Sequence, residues 1–167
     1  MNTKHRNWIS ILSLLLWAII STTALASFVP TAVALEYNKE ILINSDFSGR
    51  DLTDSSFTKS NLRYSNFSNS NLSGVSFFAA NLESANLQGA NLTNTTLDSA
   101  RLIKADLTNA ILEGAFAANA RFDGAIIDGA DFTDVLLRRD EQKKLCMVAK
   151  GTNPVTKRDT RDTLYCS

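Results

Sequence analysis

The chain is poor in the residues that most often carry chemistry. Its 167 residues include one histidine, two cysteines, two prolines and seven glycines, with 20% charged and 8% aromatic residues. The one histidine is His5, inside a segment that reads as a removable leader, so the chain without that leader holds no imidazole. Ser-His-Asp and Cys-His catalysis, and every zinc site with a His ligand, are excluded together. Little Pro, Gly and charge excludes a collagen-like, mucin-like or highly charged disordered chain. Seventeen Lys and Arg against seventeen Asp and Glu argue against a basic nucleic-acid binder. The length suits one domain with a core of its own.

The N-terminus has the order of a secretory signal. Lys4, His5 and Arg6 precede an apolar run from Trp8 to Ile20, and small-x-small sites follow at Ala24-Leu25-Ala26 and Ala32-Val33-Ala34. We expect a signal peptide over 1–34, cleaved after Ala34, with Ala26 as the other site. An uncleaved anchor is the alternative, since Trp8 to Ala26 is barely long enough to cross a bilayer. Losing Lys4 and Arg6 leaves 15 bases against 17 acids, a net charge of −2.

From Ser45 the chain repeats every five residues. Large apolar residues fall at Phe47, Leu52, Phe57, Leu62, Phe67, Leu72 and onward to Leu112, and the register resumes after Ala117 at Phe122, Ile127, Phe132 and Leu137. A small residue stands two places before most of them, such as Ser55, Ser60, Ala85 or Ala105, often with Asn or Asp between. Neither a helix of period 3.6 nor a strand of period 2 keeps this pattern on one face. A Leu-rich helical repeat would need apolar spacings of three and four, which are missing. A chain that turns a corner every five residues does keep the pattern, and four sides make a 20-residue coil whose stacked copies share one core.

The A-(D/N)-L-x-x pattern resembles the pentapeptide-repeat proteins over 45–134. The resemblance implies an all-β solenoid, a right-handed quadrilateral β-helix, with the apolar centre and the small residue inward. Phe47, Phe57, Phe67 and Phe77 then stack on two opposite sides, with the leucines on the other two. Ala117 is the weak rung: it leaves a void, or a local bulge turns Phe116 inward. Residues 35–44 are expected as an N-terminal cap or first partial coil.

Residues 135–167 are expected as a short helical C-terminal cap. Arg138 to Gly151 reads as a helix, with Leu145, Val148 and Ala149 on one face and Gly151 as its stop. Thr156 to Asp159 looks like a capping box opening a second short helix toward Leu164. In an exported chain the only two cysteines, Cys146 and Cys166, are expected to bridge. The stretch from Leu145-Cys146 to Tyr165-Cys166 resembles the C-terminus of the thylakoid-lumen pentapeptide proteins of cyanobacteria and chloroplasts. With the leader, that resemblance implies export to a thylakoid lumen or periplasm.

The outward positions offer little chemistry. The two sides centred at Leu52 and Phe67 carry eight acids, Asp51 and Asp54 among them, against Arg50, whereas the other two hold five bases and three acids. The tail from Val135 holds eight bases and four acids. Carboxylates on open sides have no pocket to tune them for acid–base work, and no loop has calcium-ligand spacing. Asn66, Asn71, Asn91 and Asn94 open glycosylation-type triplets that are by-products of the repeat. DNA mimicry, known in acidic members of the family, fits neither the leader nor so short a barrel. We expect no enzyme, cofactor, metal or small-molecule substrate, and a protein-interaction scaffold whose partner is unknown, the photosynthetic membrane being one place for it. A lumenal redox- or ion-responsive accessory using Cys146 and Cys166 is the alternative. Arg63, Tyr64, Phe78, Arg101, Ile103, Lys104, Phe116 and Arg121 depart from the Ser, Thr, Asn, Asp and Gly of the rest of the surface. They are the expected interaction patch.

Overall fold

The structure, a computed structural model, describes residues 35–53 and 55–167. The expected leader with its two cleavage sites, and Asp54, lie outside the described residues. Single-residue parallel bridges link each coil to the next at a constant offset of 20, from Glu36↔Ser56 to Phe116↔Leu136. Residues 35–44 therefore join the ladder as the start of the first coil. Four sides can be followed up the stack. The first runs from Tyr37 to Leu137, the second from Leu42 to Phe122, the third from Phe47 to Ile127 and the fourth from Leu52 to Phe132.

Each position of the pentapeptide has a distinct task. The central residue is buried, as at Leu62, Leu72, Leu82 and Leu92, all at 0% exposure. The small residue two places earlier is buried as well. At four of these positions the hydroxyl donates to the carbonyl three residues back: Ser60 to Phe57, Ser65 to Leu62, Ser70 to Phe67 and Thr95 to Leu92. A buried hydroxyl is thus satisfied without leaving the core. The Asn or Asp between them caps its own corner. Asp46 Oδ1 accepts from the Ser48 N–H, and Asn66 Oδ1 from Ser68. The same side chains also link rungs, as when Asn91 Nδ2 donates to Asn71 Oδ1 at 3.1 Å.

Aromatic columns fill the early coils. Tyr37, Phe57 and Phe77 stack with centroids 4.7 and 5.2 Å apart, and Phe47 stacks on Phe67 at 4.9 Å. Opposite columns meet edge to face across the centre, Phe57 and Phe67 at 5.6 Å. The corners turn through left-handed backbone, which most often calls for Gly or Asn, yet Lys59, Tyr64 and Lys104 also adopt it.

Ala117 remains the buried centre of its rung, while Phe116 stays in the outward ladder at 44% exposure, so no bulge turns Phe116 inward. The irregularity falls in the next corner. Asn119 is not among the left-handed residues, and its N–H and side-chain amide both donate to Asp98 Oδ1 of the previous coil, at 3.0 and 2.9 Å.

The C-terminal segment meets amides left over by the last coil. Helix α1 spans Arg139–Cys146 and α2 spans Thr160–Thr163. Glu141 accepts from the Phe122 N–H at 2.8 Å, Thr163 Oγ1 from Phe132 at 3.1 Å, and the Lys150 carbonyl from Gly129 at 2.9 Å. Asn153, fully buried, donates to the carbonyls of Asn109, Ala110 and Gly129. Helix α1 ends well before Gly151, shorter than its periodicity suggests. Leu145 and Ala149 are buried, but Val148 lies beyond the helix and is 54% exposed. Gly151 is needed for contact, since a Cβ there would lie 3.0 Å from the Gly129 nitrogen, and its φ is +83°. The cap of α2 is Asp159, whose side chain accepts from the Arg161 N–H, rather than Thr156. Cys146 and Cys166 form a disulfide.

Candidate functional site

The expected patch separates into two parts. On the second side, the outward ladder of Asn61, Asn81, Arg101 and Arg121 lies beside the corner positions that carry Arg63, Glu83, Ile103 and Asp123. Glu83 sits between two guanidiniums, 3.9 Å from Arg63 Nε and 3.7 Å from an Arg101 terminal nitrogen. The Arg63 guanidinium lies 5.3 Å from the Tyr64 ring centroid and donates to the Tyr64 hydroxyl at 3.4 Å. Ile103 and Lys104 continue these positions one coil above, with the Ser84 N–H donating to the Ile103 carbonyl. Arg121 pairs with Asp123 at 2.9 Å, and Lys144 of α1 reaches the same carboxylate at 3.5 Å.

Phe78 lies on the first side, at the corner that leads into the second, and is 38% exposed. No flanking segment covers it among the described residues. Phe116 stands apart, in the ladder with Thr96 and Leu136, and Leu136 is 54% exposed. The structure therefore brings Arg63, Tyr64 and Arg101 together through Glu83, and places Phe116 elsewhere.

Two consequences go beyond the expected patch. Glu83 is shared by Arg63 and Arg101, and Asp123 by Arg121 and Lys144, so these bases are paired to acids while the second side keeps an excess of positive charge. Exposed apolar groups also occur outside the patch, at Ile126 on the third side and at Met147, Val148, Val155 and Tyr165 in the tail. Outward residues of a β-side alternate with buried ones, which would have revealed Ile126 and Leu136; the tail residues follow no period.

Several surface carboxylates, Asp46, Asp106 and Asp123 among them, are held in their charged form. The Ser48 amide and hydroxyl lower the Asp46 carboxyl, and the hydrogen bond from Arg121 lowers Asp123. Burial opposes the charge on Asp106, but hydrogen bonds from Thr108 and Gln88 outweigh it and the carboxyl is lowered too. Groups held this way accept hydrogen bonds and ion pairs but are poorly matched to passing a proton near neutral pH. Among the described residues, no group of three His, Cys, Asp or Glu side chains is arranged to hold a metal. No helix among them is long and apolar enough to cross a membrane.

A family model described as pentapeptide repeats matches residues 41–77, 76–114 and 100–139. The chain belongs to the pentapeptide-repeat family. A pentapeptide-repeat protein from the Arabidopsis thaliana thylakoid lumen has a solved structure similar to this one. It is 45% identical over 78% of this chain and 91% of that chain, with a TM-score of 0.77. A pentapeptide-repeat protein from Nostoc is 26% identical over 63% of this chain and 86% of that one, with a TM-score of 0.54. These pentapeptide-repeat neighbours imply a right-handed quadrilateral β-helix, in keeping with the four-sided ladder. The thylakoid lumenal 15 kDa protein 1 of Arabidopsis thaliana chloroplasts is 58% identical over 38 residues, which cover 23% of this chain and 17% of that relative. A pentapeptide-repeat chain of this kind is thus related to proteins of the thylakoid lumen.

Proposed function

We propose that this pentapeptide-repeat protein is an exported, non-enzymatic interaction scaffold of the thylakoid lumen, whose protein partner docks on the second side. The docking surface runs from the corner at Phe78 across Arg63, Tyr64 and Arg101 to Ile103, Lys104 and Arg121. The observation that carries the reading is the Arg63–Glu83–Arg101 array with the exposed Tyr64 ring against it, while the exposed Phe78 ring stands at the corner that enters the same side. Arg and aromatic side chains are the types enriched at interface hot spots, and here the acid between the guanidiniums restricts where they lie. Charges fixed in place by their own counter-ions also set a partner's register and approach more than its raw affinity. The lumenal relatives support the compartment, and the lowered carboxylates of the surface support a role in binding rather than catalysis. Phe116 and Leu136 form a separate apolar spot outside this surface.

The test is a crosslinked pull-down from photosynthetic membranes and lumen with wild type and with a Phe78→Ser, Arg101→Glu double variant. The double variant is expected to lose a wild-type partner while its melting temperature moves little, since both side chains are exposed. If it keeps every partner, the second side is not the docking surface.

A further inference from the structure

The tail carries a second surface of different chemistry, independent of the lateral one. Between α1 and α2 lies a shallow depression of about 480 Å³ beside the disulfide, rimmed by Lys143, Met147, Arg161 and Tyr165. The two apolar side chains on that rim are among the most exposed in the described chain, Met147 at 78% and Tyr165 at 72%.

The bases are unevenly committed. Arg158 is fixed by Glu113 and Asp131, and Arg138 by Asp140. Lys143 has no acid within ion-pair distance among the described residues. Arg161 spends one nitrogen on the Cys146 carbonyl at 3.0 Å, which aims the guanidinium without neutralising it. The acids of α1 are engaged elsewhere: Glu141 is buried against Phe122 and Lys144, and Asp140 pairs with Arg138. The tail holds eight bases to four acids, whereas the coils it closes are acidic.

Exposed apolar groups interleaved with unpaired bases are costly on a surface that meets water alone. The same combination is what adsorbs a protein to an anionic bilayer, with apolar tips in the headgroup boundary and bases over the phosphates. A protein partner would have to supply both acids and an apolar face, whereas an anionic membrane presents both everywhere. We infer that the disulfide-closed end of the solenoid is an anionic-lipid docking surface. Lys143 and Arg161 flank the headgroup, Met147 and Tyr165 enter the interface, and the acidic sides of the solenoid are held away from the membrane. The Cys146–Cys166 bond bears on this surface, because it ties the end of α1 to the segment that follows α2, and both contribute side chains to the rim.

The experiment is flotation with vesicles of phosphatidylglycerol in phosphatidylcholine and with phosphatidylcholine alone. The protein is exported by an expression host, recovered from its periplasm, and weighed to record its N-terminus. Wild type is expected on the anionic vesicles only, with binding that falls as salt is raised. Each base near an anionic surface contributes about 1 kcal/mol, so Lys143→Gln with Arg161→Gln is expected to weaken partitioning roughly thirtyfold. Met147→Ser with Tyr165→Ser is expected to abolish it. Lys59→Gln, on the solenoid, should leave it unchanged, and thermal melts check that every variant is folded. No binding, equal binding to neutral vesicles, or tail variants that bind like wild type would each overturn the inference.

Discussion

Arg158 donates from Nε to Asp131 Oδ2 at 2.7 Å and also pairs with Glu113, so one side chain of the tail is clasped to the fourth side of the solenoid. Asp131 stands in the outward ladder, a position that is elsewhere partly exposed, yet it is fully buried by this contact. Burial raises the cost of its charge, but the hydroxyl and amide of Thr133 and the Arg158 guanidinium outweigh it and the carboxyl is lowered.

A carboxyl lowered by folding contributes stability that is complete above its ordinary range near pH 4 and is lost as pH falls through the folded value. The tail contact should therefore be constant through neutral and mildly acidic pH and weaken in stronger acid. Hydrogen exchange at Thr160 to Leu164, followed against pH, checks this. Asp131→Asn should flatten that acid dependence and cost about 2 kcal/mol, the scale of a hydrogen bond to a charged group. An unchanged acid profile in Asp131→Asn would show that the clasp does not hold the tail.

The disulfide closes a loop with a sequence separation of 20, worth roughly 3 kcal/mol on the chain-entropy model. Cys146→Ser is expected to lower the melting temperature while the β-helix signature in circular dichroism persists, because the ladder does not run through either cysteine. Thiol titration with and without reductant separates a staple from a sensor. A reduction midpoint far below the compartment's poise marks a structural bond, and one near it supports a redox-responsive accessory.

The core was legible because one residue in five must be large and apolar, and no other regular structure keeps that period. Asn and Asp beside each centre gave less away: their bonds to their own corners, such as Asp46 to Ser48, explain the residue type, but the period alone reads them as surface. The pairing of Arg63 and Arg101 through Glu83 could be worked out from an offset of 20, since Arg101 falls one coil above Asn81, two places before Glu83. The tail could not. Gly151 looks like a helix stop and is in fact a point of backbone contact with Gly129, which depends on where a non-repeating segment lands. The expectation of export rests on the N-terminal residues, and those lie outside the described structure.

The inward register has a direct test. Leu92 is fully buried between Leu72 and Leu112, so Leu92→Ala should cost about 2–5 kcal/mol. Thr93, one place on, points outward and its hydroxyl donates to Asn91 Oδ1 at 2.6 Å. Thr93→Ala should cost less than about 1 kcal/mol, the range of an exposed hydrogen bond. Chemical denaturation of both variants gives the comparison, and equal losses would contradict the register.

Tyr64 offers the sharpest separation of stability from binding. It occupies a left-handed corner with φ +60°, which costs an ordinary side chain about 1–2 kcal/mol relative to Gly and less for Asn. The same corner is left-handed in the neighbouring coils, at Asn44 below and at Ser84, Lys104 and Gly124 above. The ring is 51% exposed and lies against the Arg63 guanidinium, so its packing offsets only part of the strain. Tyr64→Asn should therefore raise stability by about 1 kcal/mol, on the scale of the corner's backbone strain. The same variant should weaken capture of the partner proposed for the second side. Denaturation midpoints and the crosslinked pull-down, measured on one preparation, decide it. If Tyr64→Asn destabilises the fold, the ring is a packing group, and if it stabilises without loss of the partner, Tyr64 lies outside the docking surface.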